Sequence, residues 1–328
     1  MRQLSLLARY AEDIYWMGRY MERADNLARL LEVNEVFARD SRGAHNWDAI
    51  IDLNSDRDRF AEQHGDPTPT RTAFFYMLDD KNPTSILFAV RAARENARTL
   101  RPLISTEMWT HLNVFYNELR AISASPESVP NISRFCEKVK TACQAHAGIT
   151  EGTFYRDQGW YFYQLGKYVE RADQTTRLVD VKYHTLLGSP NEIGSAMDIS
   201  QWNALLRSAA GYHAYRRVHP RGIEPTKVAE FLVLNSRFPR SVRFCVKEIS
   251  HLLSQLIFTF QLTRGDSVVQ ATDVIHTRLE ETDIDSIIQF GMHEFLDAIQ
   301  LDLIKVAITM SEAYFGHTPV SSDQAQES

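Results

Sequence analysis

Hydrophobic side chains recur at three- and four-residue spacing along most of the chain, and that periodicity predicts helices nearly throughout. Between residues 84 and 101, Ile86, Val90, Ala93, Ala97 and Leu100 make one apolar face. Between 284 and 314, Ile284, Ile287, Ile288, Met292, Phe295, Leu296, Ile299, Leu303 and Val306 read as one continuous stripe. Pro83 and Pro225 fall where helices are expected to begin, a position that tolerates the missing N–H. No alternating run of convincing length predicts a strand. The pattern predicts an all-α protein of roughly ten helices. Loops are expected near 40–45, 54–68, 123–131, 188–197 and 218–224, and a disordered polar tail after Thr318.

The helical pattern also repeats itself. Tyr15-Trp16-Met17-Gly18-Arg19-Tyr20-Met21-Glu22-Arg23-Ala24-Asp25 is matched by Tyr163-Gln164-Leu165-Gly166-Lys167-Tyr168-Val169-Glu170-Arg171-Ala172-Asp173, and Arg29 then matches Arg177. A second block aligns Trp47 with Trp202. A third aligns Thr68 to Ala93 with Glu224 to Ile249 without a gap, and pairs Pro69, Pro83 and Ser85 with Pro225, Pro239 and Ser241. Three blocks in the same order imply a tandem duplication of one helical unit. The expected organisation is a first repeat over 1–145, a second over 146–317 and a tail over 318–328. With only two copies, one compact pseudo-two-fold helical bundle is the expected form, and two separately folding halves are the alternative.

On a helical wheel Trp16, Met17, Tyr20, Met21, Ala24, Leu27, Ala28 and Leu31 share an apolar face, while Gly18, Glu22, Asp25, Asn26 and Arg29 share the opposite strip, flanked by Arg19 and Arg23. Gly166, Glu170, Asp173 and Arg177 repeat the strip, and Arg171 follows Glu170 as Arg23 follows Glu22. Read plainly, this is a solvated face stitched by Asp25–Arg29 and Asp173–Arg177 pairs worth ~0.2–0.5 kcal/mol each. The glycines argue otherwise, because a mid-helix Gly costs ~1 kcal/mol relative to Ala and implies close approach of another backbone or a ligand. A structural version has the two motif helices crossing at Gly18 and Gly166 with their Glu and Arg groups cross-paired. A functional version has a charged pocket that receives a peptide, an amine or a carboxylate.

Together with Arg-Ala-Ala-Arg-Glu-Asn-Ala-Arg (91–98), Ser-Thr-Glu-Met-Trp (105–109) and Phe-Pro-Arg-Ser-Val (238–242), the motif at 15–24 resembles the bacterial alpha-E domain. The resemblance extends to about residue 317. It implies an all-helical fold and places the family's Glu-Arg motif at Glu22-Arg23 and at Glu170-Arg171. It also implies association with circularly permuted ATP-grasp ligases and with transglutaminase-like peptidases, and hence a part in peptide synthesis or modification.

Three further charge groups stand out. Arg94 and Glu95 lie in a cluster with Arg91 and Arg98, where the other half has Ser250 and His251; an Arg91–Glu95 pair is the ordinary reading. Arg240 and Arg243 replace Thr84 and Leu87 of the first half, and Arg240 is expected at a helix start, where orphan N–H groups help hold an anion. His213, Arg216, Arg217, His219 and Arg221 form a basic run, read plainly as a solvated loop, with contact to an acidic partner protein as the functional alternative.

Composition removes several function classes. Of 328 residues, 36 are Lys or Arg and 42 Asp or Glu, so a net charge of −6 disfavours nucleic acid as a partner. No apolar run is long enough for a membrane span or a signal peptide, and Cys136, Cys143 and Cys245 form no C-x-x-C pair, which together predict a cytoplasmic protein. Cys143 and His146 lack the second pair a metal needs, and no phosphate loop or serine-hydrolase elbow occurs; no metal and no cofactor are expected. The expectation is a helical accessory subunit, not catalytic on its own, that binds a peptide or docks a ligase. The alternative is an enzyme in its own right with Glu22 or Glu170 as general base. Gly18, Arg19, Glu22, Arg23, Asp25, Arg29, Arg94, Glu95, Gly166, Glu170, Arg171, Asp173, Arg177, Arg240 and Arg243 are the expected binding residues.

Overall fold

A computed structural model describes residues 6–40, 47–124, 131–186 and 196–316. Fifteen α-helices and no strand occur among them. The first seven are α1 (Ala8–Asp40), α2 (Asp48–Leu53), α3 (Arg57–His64), α4 (Pro69–Met77), α5 (Ile86–Thr99), α6 (Thr106–Ser123) and α7 (Ile132–Thr153). The remainder are α8 (Gln158–Leu186), α9 (Ala196–Ser208), α10 (Tyr212–Val218), α11 (Pro225–Leu234), α12 (Val242–Phe260), α13 (Asp266–Glu281), α14 (Ile284–Phe290) and α15 (Met292–Met310), the last ending in a π-helical turn, Ser311–Phe315.

Local chemistry sets the helix starts. The side chains of Thr68, Ser85, Ser105, Asn131, Ser241 and Asp283 each accept a first-turn backbone N–H. Pro225 is the first residue of α11, as expected, whereas Pro83 lies in the turn before the Ser85 cap, so α5 begins at Ile86 instead of residue 84. The expected loop at 54–68 contains α3, whose single buried side chain, Phe60, is too little apolar signal for periodicity to register. The stripe over 284–314 is broken by Gly291, at φ +123° and ψ +118°, a conformation that ends α14 and starts α15. The basic run is not a loop: His213, Arg216 and Arg217 are exposed on α10. The division at 145/146 falls inside continuous α7. Of the expected loops, 41–46, 125–130 and 188–195 lie outside the described residues, as does the tail after Thr318.

Two long helices form the axis of the molecule. At 33 and 29 residues, α1 and α8 pack against each other more extensively than any other pair. Helices α5, α7 and α9 enclose α1, while α12 and α15 cover α8. Of the apolar face expected on α1, Met17, Met21, Ala24, Leu27, Ala28 and Leu31 are buried and Trp16 and Tyr20 half-buried. Its polar strip is buried too: Glu22, Asp25, Asn26 and Arg29 are at most 8% exposed. The solvated-face reading is thereby corrected.

Gly18 and Gly166 mark the closest approach of the axis helices. A Cβ on Gly18 would overlap the Tyr163 carbonyl oxygen and come within 3.3 Å of the Lys167 amide nitrogen. A Cβ on Gly166 would overlap the Tyr15 carbonyl oxygen and lie 3.0 Å from its carbon. Gly148, inside α7, has nothing within 4 Å. Urea denaturation should show Gly18→Ala and Gly166→Ala destabilised by about 3 kcal/mol or more, because backbone is the obstacle. Gly148→Ala should gain about 1 kcal/mol. Equal tolerance at all three positions would contradict a crossing this close.

Candidate functional site

One turn beyond each glycine the motif glutamates point at the opposite helix. Glu170 receives Arg23 through Nε on Oε1 at 2.6 Å and Nη2 on Oε2 at 3.0 Å, and Arg19 Nε on Oε2 at 2.8 Å. Glu22 receives Arg171 through Nε and Nη2, both at 2.7 Å. Its second guanidinium comes from Arg240, Nη1 on Oε1 at 3.1 Å, and the Asn26 amide adds a donor at 3.0 Å. Arg240 also donates to Asn26 Oδ1 at 3.1 Å and Asp25 Oδ2 at 2.5 Å. A turn further on, Arg29 forks onto Asp25 and Arg177 onto Asp173, at 3.0 and 3.2 Å in both cases. Arg29 then reaches the Ser208 carbonyl and Arg177 the Leu53 carbonyl. The Arg23–Glu170 and Arg171–Glu22 contacts are reciprocal, as are the Arg29 and Arg177 forks, whereas Arg19 and Arg240 are unmatched.

Charge pairing decides the protonation state of this core. Burial by itself would raise the Glu22 carboxyl, but Arg171 and then Arg240 draw it well below the ordinary glutamate range. Burial likewise opposes ionisation of Glu170, and Arg23 and Arg19 override it, bringing the group down to about 2. Lys167 matches Arg19 in sequence but not in contact. Its ammonium lies over the Tyr168 ring, 4.4 Å from the centroid, and burial followed by Arg171 pushes it down to about 8.

The remaining expected residues divide. Arg240 belongs to the network through its guanidinium, not through a helix-terminal anion site, because the Ser241 hydroxyl already accepts the Phe244 N–H at 3.2 Å. Arg94 and Glu95 sit elsewhere: Arg94 donates to Asn113 at 2.7 Å and to Glu95 at 2.5 Å, and lies over the Trp109 and Tyr116 rings. Glu95 takes Arg98 at 2.9 Å, while Arg91 turns to the Asp80 carbonyl, so the Arg91–Glu95 pair does not form. Arg243 ties α12 to the Leu279 and Thr282 carbonyls and to Glu280. These three do not join the crossing. Cys143 and His146 are buried, and no group of three or more metal-type side chains assembles among the described residues. No helix there is long and apolar enough to cross a membrane.

Sequence reasoning did not find the cleft beside Glu170. It has a volume of about 460 Å³, a polar floor that includes Arg19, Arg23, Asp173, Gln174 and Arg177, and an apolar wall of Trp16, Leu303, Ile304 and Ile308. Asn54 and Thr84 also line it. The replacement of Thr84 by Arg240 between the aligned blocks was the available signal.

An all-helical body whose two axis helices exchange glutamate–arginine contacts defines the class. A family model described as "Alpha-E: a predicted alpha-helical domain with a conserved ER motif" matches residues 6–315, and the chain belongs to that family. It is 23% identical over 301 residues to the Mycobacterium tuberculosis proteins carrying the names Uncharacterized protein Rv2567 and Uncharacterized protein MT2643, and to Uncharacterized protein Mb2597 of Mycobacterium bovis. Each match covers 84% of this chain and 32% of the relative, so the chain spans about a third of the relatives' length. No solved structure matches.

The lowered carboxyls make stability depend on acid in a defined window. Their contribution is complete above the unfolded value of 4.5 and is lost as pH falls through the folded value, about 2 for Glu170. Urea melts between pH 7 and 2 should show wild type losing stability more steeply below 4.5 than Glu170→Gln. At pH 7 that variant should be less stable by about 3–5 kcal/mol, since Arg19 and Arg23 are left facing a neutral group. Parallel pH curves would mean that the pairs contribute nothing.

Proposed function

We propose that the chain is a helical accessory and binding subunit that works with an ATP-grasp ligase in peptide or amide-bond synthesis or modification, holding the acceptor peptide. A transglutaminase-like peptidase belongs to the same proposed partnership, and the proposed location is the cytoplasm. The observation that carries the reading is the state of the two motif carboxylates. Each is buried, ionised and held by two arginines, so near neutral pH neither has the proton affinity a general base needs. The alternative, an enzyme using Glu22 or Glu170 as base, is disfavoured by the same fact. The ligase partnership is carried over from what the resemblance to the alpha-E domain implies. The reading also takes the two halves as copies of one unit, which the reciprocal contacts at the crossing support.

A reconstitution tests it. Purified chain alone should turn over neither ATP nor peptide, and titration calorimetry should show no submicromolar ATP binding. With a cognate ATP-grasp ligase present, ATP-dependent product should appear and should be lost when the chain is omitted. Turnover by the isolated chain, abolished in Glu22→Gln without a fall in melting temperature proportionate to the loss, would replace this reading with the enzymatic one.

A further inference from the structure

Helices α5 and α12 begin in the same way. Ser85 accepts the Phe88 N–H at 3.1 Å and Ser241 the Phe244 N–H at 3.2 Å, and the residues just before these caps are Thr84 and Arg240. Arg240 reaches α1, where its guanidinium is shared among Glu22, Asp25 and Asn26. Thr84 lines the cleft over α8, where Glu170, Asp173 and Gln174 are the sequence matches of those three residues. Its short side chain turns to Asp56, at 3.4 Å, and leaves the cleft open above the floor. One side of the crossing therefore displays, in Arg240, the group that its floor accepts. The other side has a matching floor, with Arg19 and Arg23 on Glu170 and Arg177 on Asp173, but no counterpart of Arg240 across Asp173 and Gln174.

We propose that the cleft between α8 and α15 binds a guanidinium on an aliphatic stem, an arginine side chain, with its charge on Asp173 and Gln174 as Arg240 rests on Asp25 and Asn26. Prior pairing does not block this. Asp25 accepts Arg29 and Arg240 together, so Asp173, which accepts Arg177 alone among arginines, retains capacity for a second guanidinium. Arg19 already holds Glu170, whereas its match Lys167 is turned onto Tyr168 and leaves Glu22 to Arg240. An incoming cation is thus directed to Asp173 and Gln174. The floor is also reachable: the Asp173 and Arg177 side chains are 13% and 20% exposed, against 5% and 4% for Asp25 and Arg29. Above it, Ile304 and Ile308 are about half exposed and offer an aliphatic wall for the methylene stem.

The biological role rests on the binding-subunit reading above, but the test needs no ligase. Calorimetry on the full chain would use L-arginine, N-acetyl-L-arginine amide, L-citrulline and L-glutamate. The arginine probes should bind, and citrulline, which keeps shape and loses charge, should bind more weakly by about tenfold or more. Preference for the capped amide assigns a peptide residue as ligand, and preference for L-arginine the free amino acid; both support the site. Thr84→Arg should supply the group internally, raising the melting temperature and removing probe binding, while Asp173→Asn should weaken binding by about tenfold. Gln174→Leu replaces Asp173→Asn if that variant does not fold. No heat from either arginine probe up to about 10 mM, equal binding of citrulline, or full binding by folded Thr84→Arg would each overturn the proposal. Binding without any ligase-dependent product would instead sink the ligase reading and leave this one standing.

Discussion

The backbones of α1 and α8 approach so closely at Gly18 and Gly166 that neither position has room for a Cβ, and the polar centre of the molecule depends on that approach. Helices held at this distance bring Glu170 within reach of Arg19 and Arg23, and Glu22 within reach of Arg171. A carboxylate this deeply buried is several kcal/mol unfavourable unless it is paired and hydrogen-bonded, so glycine and charge are one device. Well-packed apolar residues often stabilise as much as a buried ion pair. What the ions add here is register. Sliding α1 along α8 by a single turn, ~5.4 Å, would part each carboxylate from its arginines.

Periodicity revealed the helical class because α5, α12 and most of α15 carry one apolar face each. It failed where burial was too sparse, as in α3, or where backbone conformation overrode a good stripe, as at Gly291. The crossing was legible from two glycines that a solvated helix would not carry. Its partners were only half legible. Arg19, Arg23 and Arg171 announce themselves by position, but Arg240 arrives from more than two hundred residues away. The cleft was invisible because its apolar wall comes from α15, which no local pattern connects to α8. Arg94, Glu95 and Arg243 show the converse. Arg94 and Arg243 tie neighbouring helices, while Glu95 pairs with arginines of its own helix.

Matched contacts with unequal neighbours explain the cleft beside Glu170. Arg29–Asp25 and Arg177–Asp173 are the same to within a tenth of an ångström, and each arginine ends on a matched carbonyl. The difference enters with Arg240 in place of Thr84, and with Lys167 in place of Arg19. One substitution fills a space and the other withdraws a charge, so the Glu22 side is closed and the Glu170 side stays open to solvent.

The exchange of partners between halves also bears on how the chain is made. Glu22 and Arg240 are separated by 218 positions, and Glu22 and Arg171 by 149. At ~5–20 residues per second of synthesis, Arg240 follows Glu22 from the ribosome by roughly 10–40 s. Until Arg171 is made, α1 has an apolar face ready to collapse and a Glu22 carboxylate with neither of the arginines that later pair it. Pairing of the strip as described must therefore wait for Arg240, and the first half cannot complete its own charge network.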